Sequence, residues 1–317
     1  MHGTRPQISV AVPVYNEIEV LPQLYERVAR VLDGLGVTWE LVLADDGSTD
    51  GTREWIAEQG ARDRRLKAVL LSRNFGQGAA RLASLAYAGG EWTVSMDADL
   101  QDEPEAIPRM LERAREGHEV VYAVRTKRNE RWTMRLATAA FYRIAGRFSE
   151  VPQPRQVGAF SLIGRRALDH LLDLPERNTY IPGLRSFVGF SQAGVELERS
   201  ARSGRSRVPI GARIVYGLDG LFAFSDAPLR IATWLGVAAA AFAALLAVSF
   251  AVLRVVADVF VPGVTAVLTV ALFLGGFQLI TLGLIGEYLG RVYREVKRRP
   301  RYVAEERLNL EAPAEPG

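Results

Sequence analysis

The 317-residue sequence predicts an α/β domain with a mostly parallel sheet, followed by two helices that cross a membrane. Within residues 1–125, short apolar runs alternate with helix-like stretches, which is typical of a parallel sheet covered by helices on both faces. After residue 230, two long runs contain no charged residue. Since about 20 apolar residues suffice to cross a bilayer, these runs predict membrane spans.

The elements of the first domain follow from the length and pattern of the apolar runs. Short runs rich in β-branched residues predict strands at 8–12, 41–44, 68–71, 92–96 and 120–124. Longer stretches of mixed polarity predict helices at 20–35, 51–59 and 78–88. The absence of cysteine excludes disulfides and thiolate metal sites. A net charge of only +3 gives no reason to expect a nucleic-acid partner.

Acidic residues follow the second and fourth predicted strands directly. Asp45 and Asp46 open the loop after the second strand, and Asp97 and Asp99 form an Asp-x-Asp pair after the fourth. Ligands of such sheets bind outside the carboxyl ends of the strands. Paired aspartates suit Mg²⁺ or Mn²⁺, which also take phosphate oxygens as ligands. Each loop alone is also compatible with a plain turn or a helix cap.

The two uncharged runs cover residues 231–253 and 259–286. Basic residues flank them on the outer sides, with Arg230 before the first run and six more after the second: Arg291, Arg294, Lys297, Arg298, Arg299 and Arg301. By the positive-inside rule, the catalytic domain and both termini are cytoplasmic, on a multi-pass protein of the inner (plasma) membrane. Buried helices of a large soluble core are the alternative.

The predicted domain organisation has four parts. A catalytic domain spans 1–207, a juxtamembrane amphipathic segment 208–229, the two transmembrane helices 230–290, and a basic, then disordered, cytoplasmic tail 291–317. An ordinary surface helix is the alternative for the amphipathic segment. Small residues on the second span permit close helix approach and suggest a homo-oligomer: Gly275, Gly276, Gly283, Gly286 and Gly290.

Four sequence blocks, taken in order, carry a family resemblance. They are Val12-Pro13-Val14-Tyr15-Asn16-Glu17, Asp45-Asp46-Gly47-Ser48-Thr49-Asp50-Gly51-Thr52, Ser72-Arg73-Asn74-Phe75-Gly76 and Asp97-Ala98-Asp99-Leu100-Gln101-Asp102. The chain resembles glycosyltransferase family 2, and more closely its polyprenyl-phosphate branch, which includes bactoprenol glucosyltransferases and dolichol-phosphate mannose synthases. The resemblance implies a Rossmann-like GT-A fold. It implies a donor nucleotide site at Pro13, Tyr15, Glu17, Asp45, Asp46 and Asp97, and a Mg²⁺ or Mn²⁺ site at Asp97 and Asp99.

The basic stretch 198–207 resembles the acceptor loop of that branch. Guanidinium groups donate paired hydrogen bonds to phosphate, so a cluster beside a membrane suits a lipid phosphate. Binding of anionic lipids by a basic juxtamembrane stretch is the alternative. The predicted acceptor-phosphate residues are Arg125, Arg128, Arg199, Arg202, Ser206 and Arg207.

Gln156 and Ala159 stand where this branch usually carries acidic residues. A phosphate acceptor is already anionic, so the predicted inverting displacement needs no base, and positioning, metal and arginines supply the catalysis. The predicted catalytic residues are Asp99, Gln156, Arg199 and Arg202.

These residues together predict transfer of a hexose-type sugar from a nucleotide sugar to undecaprenyl or dolichyl phosphate at the cytoplasmic membrane face. The product is a polyprenyl-monophosphate sugar. Three alternatives remain open: a catalytically impaired scaffold that binds nucleotide sugar, a transferase for protein or a soluble acceptor, and a processive polysaccharide synthase. The last needs a Gln-x-x-Arg-Trp element, and the run that ends at Trp132 lacks the Gln.

Overall fold

The computed structural model describes residues 5–125, 157–175, 181–197, 227–257 and 263–310. These fall into two compact units. The first contains the described residues up to 197 and the C-terminal stretch from residue 299, and the second contains the two long helices that lie between them in the chain.

The first unit is built on one eight-stranded sheet. Its strands are β1 (Ile8–Val14), β2 (Trp39–Asp45), β3 (Leu66–Leu71), β4 (Trp92–Ser95), β5 (Val120–Arg125), β6 (Val157–Gly164), β7 (Gln192–Leu197) and β8 (Ala304–Leu308). They are ordered β7-β5-β6-β4-β1-β2-β3-β8. The central strands β4, β1, β2 and β3 are parallel. β6 runs antiparallel to β4 and β5, β7 is parallel to β5, and β8 is antiparallel to β3.

Helices cover both faces of the sheet, because the central strands are apolar on both sides. All seven residues of β1 and of β2 are buried. The helices are α1 (Leu21–Gly34), α2 (Thr52–Arg62), α3 (Gln77–Ala86), α4 (Ile107–Arg115), α5 (Arg165–Leu172) and α6 (Ile181–Phe187). Apolar side chains of α1, α2 and α4 pack in one core, and those of α3, α5 and α6 pack on the other face. The predicted α/β architecture is confirmed.

Strand register places the acidic loops at one edge of the sheet. Val14, the last residue of β1, pairs with Asp45, the last residue of β2. Ala11 of β1 pairs with Ser95, the last residue of β4. The loops after β1, β2 and β4 therefore leave the sheet at the same edge, as parallel strands require.

The C-terminal tail differs from the prediction. Disorder was expected after its basic stretch, but Ala304–Leu308 forms β8 and completes the sheet beside β3. Four of its residues pair with Ala68, Val69, Leu70 and Leu71 of β3, and Ser72 N donates a hydrogen bond to Val303 O at 3.0 Å. The physical reason is that β3 would otherwise leave its backbone groups unpaired at a sheet edge.

The second unit contains α7 (Ala227–Ala257) and α8 (Gly263–Val296), which contact each other. In the described part of the chain, one segment is long and apolar enough to cross a membrane, Phe273–Val296 of α8. A shorter apolar stretch, Ala232–Leu245, lies in α7. Two helices are thus present where two spans were expected, but the transmembrane hairpin is not confirmed. Most of the predicted amphipathic segment lies outside the described residues.

Candidate active site

A cavity of about 360 Å³ opens at the carboxyl edge of the central strands. Its walls come from the loops after β1, β2, β3 and β4 and from the first turns of α3. The lining residues are Pro13, Val14, Tyr15, Glu17, Asp46, Asn74, Gly76, Gln77, Ala80, Asp97, Ala98 and Asp99.

The loop after β1 is held by the loop after β2. Asn16 has a positive φ of 54°, a conformation that Asn tolerates better than most residues. Its backbone N–H donates to Ser48 Oγ at 2.9 Å, and its side-chain Oδ1 accepts from Thr49 N at 2.8 Å. Glu17 N donates to Thr52 Oγ1 at 3.1 Å. These bonds fix the backbone of the two residues that follow the cavity residue Tyr15.

Gly47 brings the loops after β2 and β3 into close contact. A Cβ atom at this position would lie 2.8 Å from Asn74 N and 2.9 Å from the carbonyl carbon of Arg73. The φ of Gly47 is 80°, which also favours glycine. Any side chain here would push the two loops apart and change the cavity wall.

Asp45 holds the loop after β2 in place through hydrogen bonds to the loop backbone. Its side chain is fully buried, and its Oδ2 accepts from the N–H groups of Gly47 and Ser48, both at 3.2 Å. Arg53 Nε, on the first turn of α2, donates to the same oxygen at 2.7 Å. Asp45 does not line the cavity, so its position supports a structural function rather than the expected contact with the nucleotide.

Asp46 lines the cavity and also joins two loops. Its Oδ1 accepts from Phe75 N at 2.7 Å, and its Oδ2 accepts from Gly76 N at 2.9 Å. Burial raises the pKa of the Asp46 carboxyl, although these two hydrogen bonds oppose the shift. The carboxylate therefore links the β2 loop to the turn that starts α3.

Asp97 is held by two side chains of α3. Its Oδ1 accepts from Arg81 Nη2 at 2.5 Å and from Gln77 Nε2 at 2.9 Å. Arg81 is only 5% exposed, and its Nη1 lies 3.3 Å from Ser95 Oγ. This buried guanidinium fixes one oxygen of Asp97 and places a positive charge beside the acidic loop.

Asp99 is the more exposed member of the Asp-x-Asp pair. Its Oδ1 accepts from Gln101 N at 3.1 Å, a bond within its own loop. The loop is closed by the buried Asp102, whose Oδ2 accepts from Asp97 N at 3.1 Å. Leu100, between these residues, has a positive φ of 57°. The turn thus presents the Asp99 carboxylate to solvent at the cavity.

The acidic loop fits a divalent cation that also binds phosphate oxygens. No hydrogen bond among the described residues uses Oδ2 of Asp97 or of Asp99. In the described ranges no group of three or more His, Asp or Glu side chains is arranged to hold a metal ion. Two carboxylates alone match the ligand set of Mg²⁺ or Mn²⁺ at nucleotides, where phosphates and waters complete the shell. Asp97 and Asp99 are the residues that would hold it.

The structure brings together Pro13, Tyr15, Glu17, Asp46, Asp97 and Asp99 of the predicted site. Arg125 is the last residue of β5, and nothing is described of its side chain. Ala159 lies within β6. The remaining predicted positions lie outside the described residues: Arg128, Gln156, Arg199, Arg202, Ser206 and Arg207.

Sequence reasoning missed Gln77 and Arg81. Both lie on α3, where Gln77 is exposed and Arg81 is buried among Ala, Leu and Ser residues. The signal that could have revealed Arg81 is its position as the single charged residue in a predicted helix made mostly of Ala, Gly, Leu and Ser. A charge buried in such a helix needs a partner. The partner, Asp97, could be identified only from the fold.

The sequence matches the family model described as Glycosyl transferase family 2 over residues 9–172. The chain therefore belongs to this family and is a glycosyltransferase with a GT-A-like α/β fold. It is 39% identical to an uncharacterized glycosyltransferase of Synechocystis sp., over 96% of each chain. It is 35% identical to the bactoprenol glucosyl transferase of Shigella phage SfII, over 94% of this chain and 97% of the relative.

A prophage bactoprenol glucosyl transferase homolog of Escherichia coli K12 is 33% identical, over 94% of this chain and 98% of the relative. Among solved structures, glucosyl-3-phosphoglycerate synthase from Mycobacterium tuberculosis, in complex with Mn²⁺, uridine diphosphate and glucosyl-3-phosphoglycerate, aligns with a TM-score of 0.47. That alignment is 23% identical and covers 70% of this chain and 82% of the other.

Proposed function

We propose that this protein transfers a hexose-type sugar from a nucleotide sugar to a polyprenyl phosphate at the cytoplasmic face of a membrane. The observation that carries the proposal is the cavity in which Asp46, Asp97 and Asp99 meet at the carboxyl edge of the sheet. The identity to bactoprenol glucosyl transferases extends over 94% of the chain and so includes both long helices. It supports a lipid phosphate as acceptor.

The donor occupies the cavity, with its nucleoside toward the β1 and β2 loops and its diphosphate toward the Asp97 loop. Pro13, Tyr15, Glu17 and Asp46 form the nucleoside side. Asp97 and Asp99 would hold a Mg²⁺ or Mn²⁺ ion, which would supply positive charge to balance the leaving diphosphate. Arg81 holds Asp97 in place and adds a fixed positive charge nearby.

The reaction is an in-line displacement with inversion. An oxygen of the lipid phosphate attacks the anomeric carbon, a new C–O bond forms, and the bond to the donor diphosphate breaks. The nucleoside diphosphate leaves with the bonding electron pair. The acceptor phosphate is an anion at neutral pH, so no side chain has to remove a proton. Arg125, Arg128, Arg199, Arg202, Ser206 and Arg207 bind the acceptor phosphate, and Gln156 orients acceptor or sugar.

The two long helices anchor the protein in the bilayer, with both termini in the cytoplasm. Large apolar side chains are exposed along α7 and α8, among them Trp234, Phe242, Phe273, Leu279 and Ile280. Exposed apolar surface of this extent suits contact with lipid. A Cβ atom added at Gly275, Gly276, Gly283 or Gly286 would meet no neighbouring atom within 4 Å, and this open space supports close approach of a helix from a second copy.

The test uses the purified full-length protein with polyprenyl phosphate, Mg²⁺ or Mn²⁺, and a panel of nucleotide sugars. The panel contains donors of glucose, mannose, N-acetylhexosamine and aminoarabinose. Mass spectrometry of the lipid fraction is expected to show a polyprenyl-monophosphate sugar with one donor, and chelation of the metal should abolish it. Transfer to protein or to a soluble acceptor instead would refute the lipid acceptor. Nucleotide-sugar binding without any transfer would favour a scaffold, the alternative suggested by Gln156 and Ala159.

A further inference from the structure

The chain returns to the first unit after α8, and β8 contacts the helix that follows the β2 loop. Seven residues, 297–303, separate the end of α8 from the start of β8. β8 contains two consecutive glutamates, Glu305 and Glu306, and both are exposed. Glu305 Oε2 lies 3.1 Å from Arg53 Nη1 on α2.

The end of β8 is anchored on both sides of this contact. Leu308 packs against the core, and Asn309 Nδ2 donates to Gly60 O at 2.8 Å and to Leu66 O at 2.9 Å. Arg64 Nη1 donates to Asn309 Oδ1 at 2.7 Å. Before the strand, Tyr302 is partly buried against β3 and α3 residues, and its burial raises its pKa to about 12. The position of Glu305 is therefore fixed by its neighbours in the chain.

Arg53 joins the tail to the loop after β2. Its Nη1 contacts Glu305, its Nε donates to Asp45 Oδ2 at 2.7 Å, and its Nη2 donates to Leu71 O, the last residue of β3. A planar guanidinium is suited to holding three acceptors in fixed directions, which an ammonium group is not. Arg53 is thus the common partner of three segments that are distant in sequence.

Asp45 links Arg53 to the loop that forms part of the cavity wall. The oxygen that binds Arg53 also accepts the backbone N–H groups of Gly47 and Ser48. Ser48 Oγ in turn accepts from Asn16 N, next to the cavity residue Tyr15. A continuous chain of hydrogen bonds and ion pairs therefore leads from the C-terminal strand to the wall of the proposed nucleotide site.

We propose that Glu305 and Arg53 are positioning residues of the donor site. Through Asp45 they hold the β2 loop in the shape that binds the nucleotide, so that docking of the C-terminal strand is required for full donor affinity. The inference rests on the proposed use of the cavity for a nucleotide sugar. It assigns a binding function to a tail segment that lies more than 200 residues after the loop it controls.

The two ends of this connection differ in strength. Asp45 is 0% exposed, Arg53 is 28% exposed and Glu305 is 56% exposed. An exposed ion pair stabilises by little, so Glu305→Gln is expected to weaken nucleotide affinity by about two- to five-fold. Arg53→Lys disturbs the contact with a buried carboxylate, and we expect a loss of more than about ten-fold.

The experiment measures nucleotide binding by calorimetry on the full-length protein with Mn²⁺. UDP and GDP are both titrated into the wild type, and the one that binds more tightly is the probe for the variants. Glu306→Gln is the matched control, because it removes the neighbouring charge on the same strand and should bind like the wild type. Transfer kinetics should show a raised KM for the donor and an unchanged KM for the lipid in Glu305→Gln.

Hydrogen exchange supplies a readout that a general loss of stability would not reproduce. Glu305→Gln should speed exchange of the Gly47 and Ser48 amides while leaving α5 unchanged. Wild-type affinity and exchange in both Glu305→Gln and Arg53→Lys would overturn the inference and leave the proposed function intact. Failure of the wild type to bind either nucleotide would overturn the proposed function, and the inference with it.

Discussion

The loops after β2 and β4 both begin with closely spaced aspartates, and both leave the sheet at the same edge. In the β2 loop, Asp45 is fully buried with three hydrogen-bond donors on one oxygen, and Asp46 is held by two backbone N–H groups. In the β4 loop, Asp97 is fixed through one oxygen only, and Asp99 is exposed with a single bond inside its loop.

This difference distinguishes aspartates that stabilise the loop structure from aspartates that can bind a ligand. A carboxylate that is buried away from the cavity and held by loop and helix donors stabilises a loop, whereas one with an oxygen open to the cavity can bind a cation. We therefore expect the β2 loop to shape the site and the β4 loop to perform the metal chemistry. Substitutions in the two loops should affect different measurements.

The largest effect is expected from Asp99→Asn. The exposed carboxylate contributes charge for the metal and little to folding, so transfer should fall by about 10²- to 10³-fold. The thermal unfolding midpoint should stay unchanged, as for most surface substitutions. Initial rates and thermal unfolding measure the two properties, with Glu112→Gln on the exposed side of α4 as control. Retained transfer would remove the β4 loop from the chemistry.

Asp45→Asn should show the opposite pattern. It breaks a buried ion pair with Arg53, so the free energy of unfolding should fall by about 2–4 kcal/mol. Transfer per folded molecule should fall far less than in Asp99→Asn, and mainly through a higher KM for the donor. Chemical unfolding and steady-state kinetics test this, with the exposed Glu58→Gln as control. Wild-type stability with loss of transfer would place Asp45 in direct contact with substrate.

Arg81→Lys tests how the β4 loop is held. Lysine keeps the positive charge but cannot contact Asp97 and Ser95 with two separate N–H groups, so we expect about a ten-fold lower kcat. The exposed Arg109→Lys on α4 should leave kcat unchanged. Equal rates for both variants would show that charge alone, rather than fixed geometry, is what Asp97 requires.

The smallest effect concerns pH and two aspartates of the β2 loop. Desolvation raises the folded pKa of Asp46, so its contribution to stability falls as pH rises from about 4 through that raised pKa. For Asp50, desolvation acts in the same direction, but hydrogen bonds from Thr52 and Ile18 outweigh it and lower the pKa. Its contribution is present above about pH 4 and is lost as pH falls through the lowered pKa.

Thermal unfolding between pH 3 and 6 should therefore change in opposite senses for Asp46→Asn and Asp50→Asn relative to the wild type. For each variant, the difference in unfolding temperature from the wild type should stop changing with pH above the higher of two values, the folded-state and the unfolded-state pKa of the replaced aspartate. Slopes of the same sign for both variants would contradict the assignment of Asp46 as the desolvated carboxylate.

Local patterns were sufficient for much of the fold. The five predicted strands correspond to β1 to β5, and the three predicted helices to α1 to α3, because burial imposes a period that is visible within a few residues. β8 was missed, because its sequence Ala-Glu-Glu-Arg-Leu has no apolar run and becomes a strand only by pairing with β3. The acceptor residues and the membrane topology remain predictions.

The sequence alone determined the class of chemistry. The order of acidic loops after alternating strands predicts a sheet-edge site for phosphate and a cation, because parallel strands must end together. Only the tertiary structure decided which aspartates are free to act there. Asp45 meets Arg53 and the tail, Asp97 meets Arg81, and Asp99 meets solvent. Such partners are brought together by packing across long separations in the chain, so no local pattern of residues contains them.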